Sequence, residues 1–329
     1  VSAGKYNLSE LNGPTGYTAG SWSCSAGSLS GAELTLGNGQ SAICTINNDD
    51  QAARLTLVKN VSNDHGGTAL ATDWTLKADG PTPITGTTGT TEVTEAVVSA
   101  GAYVLSESGG PSGYTPGDWE CTGGTLTGSS LALANGGSAV CTIRNFDQPA
   151  HLTLVKEVTN DDGGTALPTE WTLKASGPSS ISGATGDGSV TAAAVKAGRY
   201  DLSEFGGPSG YTAGAWACTA GTLTGSSLVL GNGVSATCTI VNDDQPAELT
   251  LVKTVTNDHG GTALATDWTL KADGPTTITG TTGTSPVTDA VVKAGKYNLS
   301  EFGGPTGYIA SAWKCEGGTL SGTSLTLAN

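Results

Sequence analysis

The sequence predicts an all-β chain built of tandem antiparallel β-sandwich domains, and three observations predict it. Cysteines and tryptophans recur at one fixed interval. Short runs rich in β-branched residues alternate apolar with polar positions. Gly, Pro, Asn and Asp gather between those runs. Cys24, Cys121, Cys218 and Cys315 lie 97 residues apart, as do Cys44, Cys141 and Cys238. The tryptophans keep the same interval in two series, Trp22, Trp119, Trp216, Trp313 and Trp74, Trp171, Trp268. An interval of 97 residues is too long for a solenoid unit and matches a small independent domain.

Domain limits follow from the punctuation NNDDQAA (47–53), NFDQPAH (145–151) and NDDQPAE (242–248). Residues 54–146 and 151–243 are then complete copies. Residues 1–49 are the C-terminal part of a copy, and 248–329 are a copy without its last strand. The chain holds no Met and no charged-then-apolar leader, so it is expected to be an interior piece of a longer precursor.

The elements can be justified in order along 151–243. HLTLVKEV (151–158) and EWTLKAS (170–176) alternate with β-branched residues, as strands do. A weaker SVTAAAV (189–195) follows, then RYDLSEF (199–205), AWACTAG (215–221), SLVLGNG (227–233) and SATCTIVN (235–242). Seven short strands separated by turn residues predict a sandwich. No helical period occurs.

Strand alternation also assigns faces. Leu152, Leu154, Lys156 and Val158 share one, Tyr200, Leu202 and Glu204 another, and Cys238, Ile240 and Asn242 a third. These are the apolar faces, so a Lys, a Glu and an Asn of each copy point into the core. The second copy repeats it with Lys59, Glu107 and Asn145. Burying unpaired charge is expensive, so the three residues require a reason.

Trp216 and Cys218 share a face, and Cys238 is inward. One disulfide per copy is expected, Cys24–Cys44, Cys121–Cys141 and Cys218–Cys238, with the partner of Cys315 outside the chain. The alternative is a metal held by two thiols. Paired cysteines in lean domains fit an oxidising, extracellular compartment.

Charge narrows the function. Fourteen basic against 29 acidic residues leave −15, which disfavours nucleic acid and anionic membrane surfaces. No apolar run is long enough to insert in a bilayer. No nucleophile, base and orienting group recur together, so an enzyme is not expected.

YNLSELNGPTGY (6–17), YVLSESGGPSGY (103–114), YDLSEFGGPSGY (200–211) and YNLSEFGGPTGY (297–308) resemble the E-box signature of prealbumin-like domains, of the SpaA and Cna-B types, in Gram-positive pilins and adhesin stalks. LTLVK (55–59, 152–156, 249–253) resembles the opening strand of those domains, and CTINN, CTIRN and CTIVN their closing strand. The resemblance implies a prealbumin-like sandwich. It also implies an isopeptide bond between the opening-strand Lys and the closing-strand Asn, promoted by the E-box Glu: Lys59–Asn145 with Glu107, and Lys156–Asn242 with Glu204. Asn48 with Glu10, and Lys253 with Glu301, are half-sites. The Trp-x-Cys…Cys pair departs from the usual pattern. Read from the residues alone, a buried Lys–Glu pair capped by Asn, or a Lys whose head reaches solvent, are the alternatives.

No cofactor is expected. The loops SNDHGG (62–67), TNDDGG (159–164) and TNDHGG (256–261) could offer Asp64, Asp161 and Asp258 to Ca²⁺, though without the regular spacing of a calcium loop; an ordinary turn explains them equally. Asn7, Asn60 and Asn298 stand in N-glycosylation sequons. The expected role is structural: an extracellular fibre or stalk on a Gram-positive surface of actinobacterial type, with neighbouring repeats or copies as partners. Short linkers carrying Pro149 limit bending and favour a rod. The second reading is an adhesin module in which loop residues such as Tyr17, Tyr114, Tyr211 and Tyr308 contact host or cell-surface ligands.

Overall fold

Alternation of Leu with Thr, Lys or Val forces one side of each strand inward, and two such sheets must cover each other. The computed structural model describes all residues from Val1 to Asn329 and contains strands joined by turns, with four single-turn 3₁₀ segments and no α-helix. It divides into two compact units, Val1–Gln148 and Pro149–Asn329.

In the first unit the second copy is complete. One sheet holds five strands in the order Ile84–Gly86, Trp74–Asp79, Gly101–Gly109, Ser130–Leu133, Thr125–Thr127. The other holds Ala96–Val98, the opening strand Ala53–Ser62, the closing strand Ser138–Asp147 and Tyr114–Thr122. Leu55, Leu57, Leu76, Tyr103, Leu105, Leu131 and Ile143 form the core between them. Each such side chain contributes roughly 1.5–3 kcal/mol by leaving water. In the second unit the third copy repeats this plan, with Leu152, Leu154, Leu173, Tyr200, Leu228 and Ile240 inside.

All pairings in the sandwich are antiparallel except one. The opening and closing strands run parallel, Lys59 opposite Ile143 in one copy and Lys156 opposite Ile240 in the other. The first and last strands of a domain therefore lie side by side and point the same way.

Strand limits differ from the sequence reading in three places. Of 189–195 only Ala193–Val195 is strand, because Val190 closes a turn that hydrogen-bonds Leu154. Of 215–221 only Ala217–Cys218 is strand. Short strands at Ile181–Gly183, Tyr211–Ala213 and Thr222–Thr224 carry too few alternating residues to stand out in the sequence.

The two partial copies retain one sheet well and the other poorly. The fourth keeps the five-stranded sheet with Trp268–Asp273 and Gly295–Gly303 at its centre, but its opening strand is reduced to Ala247–Leu249. The first has its closing strand broken into Cys44–Thr45 and Asn48–Asp50.

Candidate functional site

Lys59 and Lys156 are each 2% exposed, and Asn145 and Asn242 2% and 3%. All four sit on the central two strands of their sheet, and each Asn lies two residues beyond the partner of its Lys. Across the sandwich the E-box strand supplies the carboxylate. Lys59 Nζ is 2.5 Å from Glu107 Oε2, and Lys156 Nζ is 2.8 Å from Glu204 Oε2. The second contact is close but poorly directed, leaving Lys156 Nζ and Glu204 Oε2 without an aligned hydrogen bond. A tryptophan ring lines each site, 4.8 Å from Lys59 Nζ (Trp74) and 4.9 Å from Lys156 Nζ (Trp171).

Burial lowers the ammonium pKa of both lysines from the ordinary value, against the opposing charge of Glu107 and Glu204. A Lys that gives up its proton becomes a nucleophile. Beside it, Asn145 Oδ1 and Asn242 Oδ1 are buried with no hydrogen-bond partner. An orphaned buried carbonyl is costly in a finished core. It is the atom on which charge would develop if the amide carbon were attacked.

The half-sites each show one side of the same triangle. In the first copy Asn48 Nδ2 donates to Glu10 Oε2 at 3.0 Å. In the fourth, Lys253 Nζ donates to Glu301 Oε2 at 2.6 Å, over Trp268.

The structure joins Cys24 to Cys44, Cys121 to Cys141 and Cys218 to Cys238, tying the closing strand to its antiparallel neighbour. Cys315 is a free, exposed thiol.

Sequence reasoning stopped at the Asn of the closing strand and missed the residue two further on. Asp147 and Asp244 face inward and are 2% and 1% exposed. Asp147 accepts backbone N–H groups of Asp64, His65 and Gly67, and Asp244 those of Asp161, Asp162 and Gly164. Burial pushes these carboxyls up, but the three backbone donors outweigh it and hold both below the usual range. The same alternation that put Asn242 inward would have found Asp244, had DDQP not read as linker.

Two of the three loops considered for Ca²⁺, 62–67 and 159–164, are thus wrapped around a protein carboxylate. Asp161, Asp243 and Asp244 each bring a carboxylate oxygen within 4.8 Å of the others, with both oxygens of Asp244 already accepting N–H bonds. Asp258 stands exposed beside His259. The loop tyrosines are engaged internally. Tyr114, Tyr211 and Tyr308 donate to Asn63, Asn160 and Asn257 and stack edge-on against Trp74, Trp171 and Trp268, whereas Tyr17 is 46% exposed. No helix is long and apolar enough to cross a membrane.

Comparison with known proteins agrees with this architecture. The Bacillus anthracis TIE protein is 14% identical with a TM-score of 0.50, over 99% of this chain and 66% of that one. The chain therefore spans just under two thirds of that relative. The major pilin T-13 of Streptococcus pyogenes is 15% identical over 58% of this chain and 97% of the pilin, with a TM-score of 0.28. Two B repeat units of the Staphylococcus aureus collagen binding protein are 11% identical over 91% of each chain, TM-score 0.21. A search of curated proteins gives no match. The model of the prealbumin-like fold domain matches residues 1–46, 50–143, 147–240 and 244–329, and the chain belongs to that family, as four tandem copies.

Proposed function

We propose that the chain is a load-bearing segment of an extracellular fibre or stalk on a Gram-positive cell surface, with each complete repeat locked by a Lys–Asn isopeptide bond. The observation that carries this reading is the placement of an inward Lys and an inward Asn on adjacent parallel strands, the first and last of the domain. Tension enters a repeat at the start of one and leaves at the end of the other. Parallel strands pulled in opposite senses are loaded in shear, so their ladder bonds resist together. A bond from Lys156 to Asn242 would carry the load across and leave 157–241 unstressed.

The chemistry balances within the fold. Glu204 takes a proton from Lys156, and the neutral Nζ attacks Cγ of Asn242. The Nζ–Cγ bond forms and charge collects on Oδ1; Glu204 passes its proton to Nδ2, then takes the second proton from Nζ and ends protonated. The Cγ–Nδ2 bond breaks and ammonia leaves. This is one turnover per domain, and the role is structural. The partners on this reading are other repeats of the fibre. An adhesin role through loop tyrosines has less support, since three of the four tyrosines are held by Asn and Trp.

Stretching the chain end to end in a single-molecule force experiment tests the proposal. Each locked repeat should give no extension step. With the Cys218–Cys238 disulfide reduced, releasing residues 157–241 would lengthen the chain by roughly 300 Å at ~3.5 Å per residue. Glu204→Ala should restore one such step, and full steps from both complete repeats of the wild type would overturn the reading.

A further inference from the structure

The end of the third repeat makes contacts that its own fold does not require. Asn329, in the fourth copy, donates through Nδ2 to the carbonyl of Gln245 at 2.9 Å, to Asp244 Oδ2 at 3.1 Å and to the carbonyl of Asp162 at 3.4 Å. The N–H of Ala294 also donates to that Asp162 carbonyl, at 2.7 Å. Two glycines mark how closely the surfaces meet. A methyl on Gly163 would lie 2.3 Å from the Ala294 oxygen, and one on Gly210 would lie 2.5 Å from the Asn329 backbone.

The same residues meet independently in the first unit. Gly16 corresponds to Gly210, Gln51 to Gln245 and Asn135 to Asn329, all 194 positions earlier. A methyl on Gly16 would lie 2.2 Å from the Asn135 oxygen, and the N–H of Gly136 donates to the Gln51 carbonyl at 2.8 Å. Residues 1–49 contain no NDxGG loop, yet the Gly–Gln platform seats the Asn-containing turn.

We propose that the ends of the first and third repeats are docking sockets, each occupied by the next repeat of the same array. Gly210 and Gln245 form its floor, Asp244 and the 159–164 loop its wall, and Asn329 the plug. The Asn-Gly turn after the Leu-x-Leu strand then has two jobs: it reverses the chain and supplies the amide that reads the preceding repeat. Asp244 lies two residues past Asn242 on one face, so the socket is built on the strand end where load would leave. The proposal does not depend on the isopeptide bond.

Hydrogen exchange on the full chain tests it, using a matched pair of glycines. Gly210 and Gly307 are equivalent, with φ of +83° and +94°, but no atom lies within 4 Å of a methyl on Gly307. Gly210→Ala should therefore suffer both backbone strain and collision, and Gly307→Ala strain alone. Exchange at the Ala294 amide should rise at least about tenfold in Gly210→Ala and stay unchanged in Gly307→Ala, with Leu154 and Leu173 protected in both. Asn329→Ala, at an end position with no part in either core, should also raise exchange at Ala294. Equal effects of the two glycine variants, or no effect of Gly210→Ala and Asn329→Ala, would overturn the socket.

Discussion

The third and fourth copies share about two thirds of the residues of their opening halves, 34 of 50 between 151–200 and 248–297, yet one is closed and the other open. In the third, the opening strand runs ten residues, Ala150–Thr159, against its parallel partner. In the fourth, with no closing strand beside it, the opening strand is confined to Ala247–Leu249 and LTLVK leaves the sheet after its first residue. The opposite sheet does not notice: Gly198–Gly206 and Gly295–Gly303 are both nine residues long and pair in the same register. One sheet of this domain is therefore self-sufficient, and the other is organised by its last strand. The Lys–Glu contact also survives in the open copy, at 2.6 Å, but its two side chains rise to 16% and 20% exposure from 0% and 11%. The opening and E-box strands position the Lys–Glu pair, and the closing strand brings the Asn and excludes water.

The difference can be broken most completely by extending the chain past Asn329 with the third copy's residues 233–244. Amides of 250–256 should then become as protected as those of 153–159, and the Cys315 thiol should vanish into a disulfide. Exchange mass spectrometry and thiol labelling check both. Continued fast exchange at 250–256 would mean that the closing strand does not organise this sheet.

A smaller effect should come from Glu204→Ala. Lys156 and Asn242 are 86 positions apart. By the chain-entropy reckoning used for disulfides, closing such a loop contributes ~4.5 kcal/mol. Chemical denaturation should show the third copy losing stability of that order while the second, with Glu107 intact, does not.

The smallest effect concerns Asp244. Its carboxyl lies below the unfolded value near 3.8, so its stabilisation is present above that value and fades as pH falls through the folded pKa. Asp161, Asp162 and Asp243 crowd the same loop, and Lys293 faces Asp162. The 159–164 loop should resist limited proteolysis at neutral pH and yield only under strong acid. The 256–261 loop, which has no closing-strand carboxylate, should be cut at every pH. Asp244→Asn should cost about 1–3 kcal/mol, the usual range for a charged hydrogen-bond acceptor.

Much of this was legible in the residues. Alternation alone placed Lys156, Glu204 and Asn242 inward, because a strand has only two faces and Leu154, Leu202 and Ile240 claim one of them. The short strands at 181–183 and 222–224 were not legible, since three residues cannot establish a period. Asp244 was hidden by its company: DDQP has the composition of a linker, and only the ladder of the closing strand reveals that alternation continues through it. The socket was invisible for another reason. Its floor is backbone at Gly210 and Gln245, and hydrogen bonds to carbonyls leave no mark on residue type.

The most direct test is the intact mass of the reduced chain. Two complete sites should each have lost one ammonia, leaving the protein about 34 Da lighter than its sequence. Digestion should yield branched peptides joining Lys59 to Asn145 and Lys156 to Asn242, while Lys253 and Asn48 remain unmodified. A full sequence mass, with all four residues recovered in linear peptides, would contradict the covalent lock and leave two buried ion pairs in its place.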